Sequence, residues 1–199
     1  EGPNNGQPLP DVVTPPTFAR RGDTDGETAQ PILGIAQKIV DNMEASLELP
    51  TATSVRDIPV KVLEENRQLI NDHLEDRAHP RSSFTHLVAY ALVQAAKTVP
   101  AMNNGFSRHD GKPFKLERND INLGLAIDVP ARDGGRSLVV PNLKAAQTMD
   151  FWTFFRAYND VIRRAREGKL SPADFHGTTI TLTNPGGIGT ASSLQRLMV

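Results

Sequence analysis

The residues best placed to do chemistry lie near the end of the chain, where a β-branched run, Thr178-Thr-Ile-Thr-Leu-Thr183, breaks into Asn184-Pro-Gly-Gly-Ile-Gly-Thr190. A hydroxyl at the mouth of a rigid strand is a preorganised donor, and acyl transfer needs such a donor where negative charge develops on a reacting carbonyl oxygen. Thr183 is the candidate for that role. The following glycines superficially resemble a dinucleotide-binding turn, Gly187-Ile-Gly189-Thr-Ala-Ser192. That reading is set aside: Ser192 stands where the pattern has its last glycine, and no acidic residue follows.

A general base is harder to find. The five histidines, His73, His79, His86, His109 and His176, have no evident partner in sequence. His86 falls in the first turn of an apolar helix, where the helix dipole lowers its basicity, so a hydrogen-bonded structural histidine is expected there. No histidine pair has the spacing of a helical zinc site and no carboxylate cluster suggests a hard cation, so no metal site is expected. The chain has no Cys, which excludes a thiol nucleophile or disulfide within it. Arg163, Arg164, Arg166 and Lys169 form a basic run at a helix end. A solvated face complementing the helix C-terminus is the favoured reading, with a phosphate contact as the alternative.

These residues need a frame. Residues 1–31 are rich in Pro, Gly, Asn, Asp and Thr and read as a disordered linker, because so little apolar surface cannot offset ordering entropy. Helical periodicity starts at Ile32 and carries Ile35, Ala36, Ile39, Val40 and Met43 on one stripe. Thr51 to Asp57 has the β-branched content of a strand, and Pro59 opens a second helix with Val62, Leu63, Asn66, Leu69, Ile70 and His73 on one side. Ser83 is placed to cap a third helix, Phe84 to Thr98, apolar enough to be buried on most sides. A turn and short hairpin follow between Asn103 and Phe114. Ile121 to Val129 and Ser137 to Val140 read as two central strands. Thr148 is the expected cap of a fourth helix, Phe151 to Arg166, closed by Gly168, and Ser171-Pro-Ala-Asp174 opens a further turn. The sum is an α/β fold, a mixed sheet backed by helices.

Balanced charge, 22 basic against 23 acidic residues, gives no reason to expect nucleic acid or an anionic membrane as partner. No apolar run approaches the roughly 18 residues of a membrane helix, and the absence of Cys fits the expected reducing cytoplasm.

From Ile32 to the last residue the order of landmarks resembles the catalytic domain of the dihydrolipoyl acyltransferases of 2-oxo acid dehydrogenase complexes. The landmarks are Ile35-Ala-Gln-Lys38 with Met43-Glu-Ala-Ser46, then Phe84-Thr85 leading the apolar helix, then Pro100-Ala-Met-Asn-Asn104. Ile121-Asn-Leu-Gly-Leu-Ala126, Leu138-Val-Val-Pro141 and Thr181-Leu-Thr-Asn184 with Gly186 follow in the same order. Leu49 to Asp57, Ile121 to Asp128 and especially Leu182 to Thr190 resemble the family's actinobacterial branch. There a succinyltransferase-like domain without a lipoyl domain is fused ahead of a thiamine-diphosphate-dependent 2-oxoglutarate decarboxylase/dehydrogenase region. One departure is Leu33 before Gly34, where the family usually has Arg.

The resemblance implies a chloramphenicol-acetyltransferase-like (CoA-dependent acyltransferase) sandwich over residues 32–199, truncated at its C-terminus. It implies a succinyltransferase module moving succinyl between dihydrolipoamide and coenzyme A in the tricarboxylic acid cycle. It places Thr183 at the oxyanion-stabilising position and lets the pantetheine arm of the co-substrate coenzyme A pass close to Asn184, Gly186 and Gly187. The family's general base, the His of an Asp-His-Arg motif, is expected in polypeptide beyond this sequence. Thiamine diphosphate and Mg are expected only in a fused or partner dehydrogenase module. Implied partners are two further copies in a homotrimer, dehydrogenase and dihydrolipoyl dehydrogenase components, and the lipoyl domains of a partner acyltransferase. The alternative is a non-catalytic trimeric core for a fused thiamine-dependent 2-oxoglutarate dehydrogenase.

Overall fold

The computed structural model of the chain describes residues 31–130 and 135–184. The expected linker up to residue 30 and the expected site residues Gly186 and Gly187 lie outside the described residues. Two compact units divide the chain: Glu1–Ala52 with Gln195–Val199, and Thr53–Leu194.

In the first unit the described element is helix α1, Ile35–Ser46. It starts three residues later than the periodicity suggests, because Gly34 sits at φ +65°, a left-handed position that ends the helix on its N-terminal side. Ile32, Leu33, Ile39 and Met43 of the expected apolar stripe region are exposed.

In the second unit, helix α2 spans Lys61–Glu75, α3 Phe84–Thr98 and α4 Phe151–Arg166. The strands are β1 (Gly105–His109), β2 (Lys112–Leu116), β3 (Leu123–Leu125), β4 (Ile127–Pro130), β5 (Arg136–Val139), β6 (Asn142–Leu143) and β7 (Ile180–Leu182). β3 is the centre of a three-stranded mixed sheet, antiparallel to β6 and parallel to β7. A parallel neighbour requires a crossover, and the chain between β6 and β7 contains α4. The pairs β1–β2 and β4–β5 are antiparallel hairpins. At the first, Asp110 and Gly111 both have positive φ, the signature of a two-residue turn whose twist matches its strands.

Helices α3 and α4 back the strands. Ala89 and Val93 of α3, Leu123 of β3 and Phe154 of α4 are completely buried in one cluster that also takes in Ile127, Val129 and Leu143. Burial of a side chain such as Phe154 contributes ~1.5–3 kcal/mol.

Five local expectations need correction. Thr51 to Asp57 forms no strand; residues 51–60 are irregular and exposed throughout, since β-branched residues favour a strand only where a pleated surface is covered. On α2 the buried face is rotated from the expected stripe: Asn71 and Leu74 are buried while Val62 and Leu69 are 65% and 68% exposed. The cause is polar. Asn71 clamps the turn before α3, its Nδ2 donating to Ser82 O at 3.1 Å and its Oδ1 accepting from Ser82 N–H at 2.6 Å.

Third, α3 buries one face, through His86, Ala89, Val93 and Ala96, and leaves Phe84 and Val88 exposed. Fourth, the expected pair of central strands is divided. The run from Ile121 becomes β3 and β4 in different sheets, parting at Ala126, whose N–H donates to Leu182 O at 3.2 Å. The second expected central strand is β5, which pairs with β4 and is exposed, with Leu138 64% exposed. Fifth, Asp150 caps α4 by accepting from Thr153 N–H at 2.7 Å, while Thr148 closes the 3-10 turn before it. Gly168 closes α4 as expected. At φ +66° it lets its own N–H reach Ala165 O and that of Lys169 reach Arg164 O, which satisfies two terminal carbonyls.

Candidate functional site

Strand β7 brings Thr183 to the edge of this frame. Its register, Gly124 opposite Thr181 and Leu125 opposite Leu182, ends with the Ala126 bond one residue before Thr183. Ile180 and Leu182 pack against the core. Side chains alternate along a strand, so Thr181 takes the other face, and Thr183 follows one residue past the ladder. Thr183 is half-buried, and no hydrogen bond to its hydroxyl forms among the described residues. Gly124 makes room for this hydroxyl-bearing face: a Cβ there would meet Thr178 Cγ2 at 2.8 Å and Thr181 Oγ1 at 2.9 Å.

Asparagines hold the strand at both ends, and sequence reasoning missed most of them. Asn122 accepts from Thr179 N–H through its carbonyl at 2.9 Å and donates through Nδ2 to Gly177 O at 2.7 Å. Asn142 Nδ2 reaches His176 O at 3.0 Å and Thr178 Oγ1 at 2.7 Å, and Lys144 also donates to His176 O. At the far end Asn184, expected only beside the pantetheine arm, donates from Nδ2 to Thr85 Oγ1 at 2.7 Å. The available signal was an Asn inside each of two apolar strand runs, Ile121-Asn-Leu-Gly and Pro141-Asn-Leu. At Asn142, 3% exposed, the buried amide must have partners to offset its desolvation.

His86 has the structural role expected of it. It is 5% exposed, and its Nδ1 accepts from Ser83 N–H at 3.1 Å in a capping box. Its proton is therefore on Nε2, facing Asn159 Oδ1 at 3.3 Å, and Asn159 Nδ2 in turn donates to Phe155 O at 3.0 Å. The ring packs on Tyr158 at 4.1 Å and Phe155 at 4.9 Å between centroids. Burial pushes the imidazole below its ordinary value, against the opposing pull of Asn159, so His86 is neutral near pH 7. Burial likewise raises the Tyr158 phenol, and its neighbour Thr85 acts in the opposite direction.

The other histidines are dispersed and exposed. His73 Nδ1 on α2 accepts from Arg77 in the turn after that helix, His79 packs on Trp152, and His109 ends β1 against Phe114. His176 uses its carbonyl to hold the turn before β7. None of these lies on the elements that carry Thr183 to the β7 edge, apart from His176 in that turn. Among the described residues no group of three or more His, Cys, Asp or Glu has the arrangement of a metal site.

The basic run is largely paired within the helix end. Arg163 meets Asp160 and Glu167, Lys169 meets Glu167 at 2.9 Å, and Arg164 reaches both carboxylate oxygens of Asp174 at 2.8 Å. The Arg164 bond, with the Ser171 N–H, holds the Asp174 carboxyl down to about 2. That pairing favours the reading of a solvated, dipole-complementing end.

Comparison with known proteins identifies the family of the chain. The chain is 52% identical over 182 residues to the multifunctional 2-oxoglutarate metabolism enzyme of Mycolicibacterium vanbaalenii, which covers 92% of this chain and 15% of that protein. It is 50% identical over 167 residues to the 2-oxoglutarate dehydrogenase E1/E2 component of Corynebacterium glutamicum, covering 84% of this chain and 14% of that protein. The chain thus spans about one seventh of the length of these curated relatives. Among solved structures, a probable dihydrolipoamide acetyltransferase from Listeria monocytogenes superposes with a TM-score of 0.72 at 27% identity, covering 88% of this chain and 71% of that one. The family model described as 2-oxoacid dehydrogenases acyltransferase (catalytic domain) matches residues 24–197, and the chain belongs to that family.

Proposed function

We propose that this chain supplies the oxyanion-stabilising half of a succinyltransferase site in a 2-oxoglutarate dehydrogenase system. The observation that carries the proposal is the Thr183 hydroxyl, which stands at the end of a strand fixed at both ends and forms no hydrogen bond among the described residues. The acyl group is read from the relatives, two of which carry 2-oxoglutarate in their names.

In this reading a thiol of coenzyme A or dihydrolipoamide loses its proton to the His of the family's Asp-His-Arg element, a motif this sequence does not contain. The thiolate attacks the succinyl thioester carbonyl, a new C–S bond forms, and the carbonyl π pair moves onto oxygen. Thr183 Oγ1 donates to that oxyanion. Collapse expels the other sulfur, which recovers the proton from the imidazolium. The pantetheine arm of coenzyme A passes Asn184, Gly186 and Gly187 in this reading, as in the family's site. Thiamine diphosphate and Mg belong to a fused or partner dehydrogenase module, and residues 1–31 serve as the linker ahead of the acyltransferase domain.

The proposed setting is cytoplasmic, in a homotrimer working with dehydrogenase, dihydrolipoyl dehydrogenase and the lipoyl domains of a partner. A purely architectural role is the second reading, favoured by the exposed apolar residues Val55, Ile58, Val62 and Leu69. The full-length parent protein, given succinyl-coenzyme A and dihydrolipoamide, separates the two. Succinyl transfer exceeding acetyl transfer supports the enzymatic reading; no thioester exchange with either donor leaves the architectural one.

A further inference from the structure

We infer that Thr85, on the first turn of α3, is a positioning residue for the Thr183 hydroxyl, acting through Asn184. This deepens the proposed oxyanion role and rests on it. The contact spans 99 residues of sequence: Asn184 Nδ2 donates to Thr85 Oγ1 at 2.7 Å, and Asn184 is the peptide neighbour of Thr183. The strand ladder ends at Leu182, so beyond that point the direction of the chain depends on what holds residue 184.

Thr85 is itself held. Its neighbours in sequence, Ser83 and His86, close the capping box, and His86 ties α3 to α4 through Asn159. Next to it lies Tyr158, 8% exposed and packed on the His86 ring; burial raises the Tyr158 phenol and Thr85 pulls it down against that effect. A rigid line of contacts therefore runs from the buried face of α4, through the start of α3, to the end of β7. An oxyanion donor is effective only when fixed before charge develops, and a displacement of about 1 Å can cost ~100-fold in rate. Thr85 supplies that fixing at the end of β7 opposite the Asn122 clamp.

The test is a double-mutant cycle in the full-length parent protein, reading kcat and KM for succinyl transfer from succinyl-coenzyme A to dihydrolipoamide, with melting temperature as the control for folding. Thr85→Val keeps the volume and removes the acceptor. It should lower kcat roughly ten- to a hundredfold with little change in KM, Thr85→Ser should restore most of the rate, and Thr85→Val should cost almost nothing further in a Thr183→Ala background. Thr85→Val at the wild-type rate, or a loss that multiplies fully with that of Thr183→Ala, overturns the inference while leaving the oxyanion role intact. A Thr183→Ala protein as fast as wild type takes down the proposed function first. Should Thr85→Val fail to fold, Thr85→Ala removes the same acceptor with a stronger helix former, and the same outcomes apply.

Discussion

The two sides of the second unit treat their apolar residues in opposite ways. Between α3, α4 and β3, nearly every apolar side chain on the inward faces is covered, and the polar ones among them, His86 and Asn159, are bonded to each other. On the outer side, from Val55 through α2 and along β1 and β2, large apolar groups face solvent: Ile58, Val62, Leu69, Phe106 and Phe114 are all exposed. The first region is a core that the chain completes alone. The second has the composition of a core without its cover, which is the composition of an association surface. The hydroxyl face that ends in Thr183 is anchored in the completed region, which is why its geometry can be described from this chain.

The largest effect should come from damaging the completed side. Phe154→Ala removes a fully buried ring and should cost ~3–5 kcal/mol in chemical denaturation; a loss under ~1 kcal/mol would mean that this cluster is not the core. A smaller and pH-dependent effect belongs to His86. Its folded-state pKa lies below the ordinary 6.5, so the unfolded chain takes up a proton first. The stability tied to neutral His86 is complete above that pH and is lost as pH falls below it. His86→Gln keeps a capping-box acceptor and removes the titration, so its melting temperature should depend less on pH between about 6.5 and 5 than that of the wild type. Parallel pH profiles would show that His86 is not buried neutral. The smallest effect is expected on the outer side. Leu69→Ser should change monomer stability by less than ~0.5 kcal/mol yet lower the mass that sedimentation reads for the proposed trimer. A large destabilisation without a change in mass would erase the contrast.

The same contrast explains what the sequence made legible. The buried stripe of α4 and the closing Gly168 follow from one clear period and one residue type. The α2 stripe of Val62, Asn66, Leu69 and His73 is equally periodic but faces outward, because the inward face centres on the polar Asn71, which apolar periodicity does not register. The strand expected at Thr51 to Asp57 has strand-forming residues and no covered surface in this chain. For the site, the hydroxyl run and its position before the glycines were legible from residue types. The contacts that fix it were not: Thr85 meets Asn184, and Asn122 meets Gly177, across separations that no local pattern encodes.

The central claim is that the Thr183 hydroxyl stabilises negative charge on a thioester oxygen, and it is tested most directly by comparing Thr183→Ala and Thr183→Ser with wild type in the full-length protein. Loss of one such donor should lower kcat for succinyl transfer by ~10²- to 10³-fold, with Thr183→Ser retaining most of the rate and both melting temperatures nearly unchanged. Equal kcat for Thr183→Ala and wild type would contradict the account.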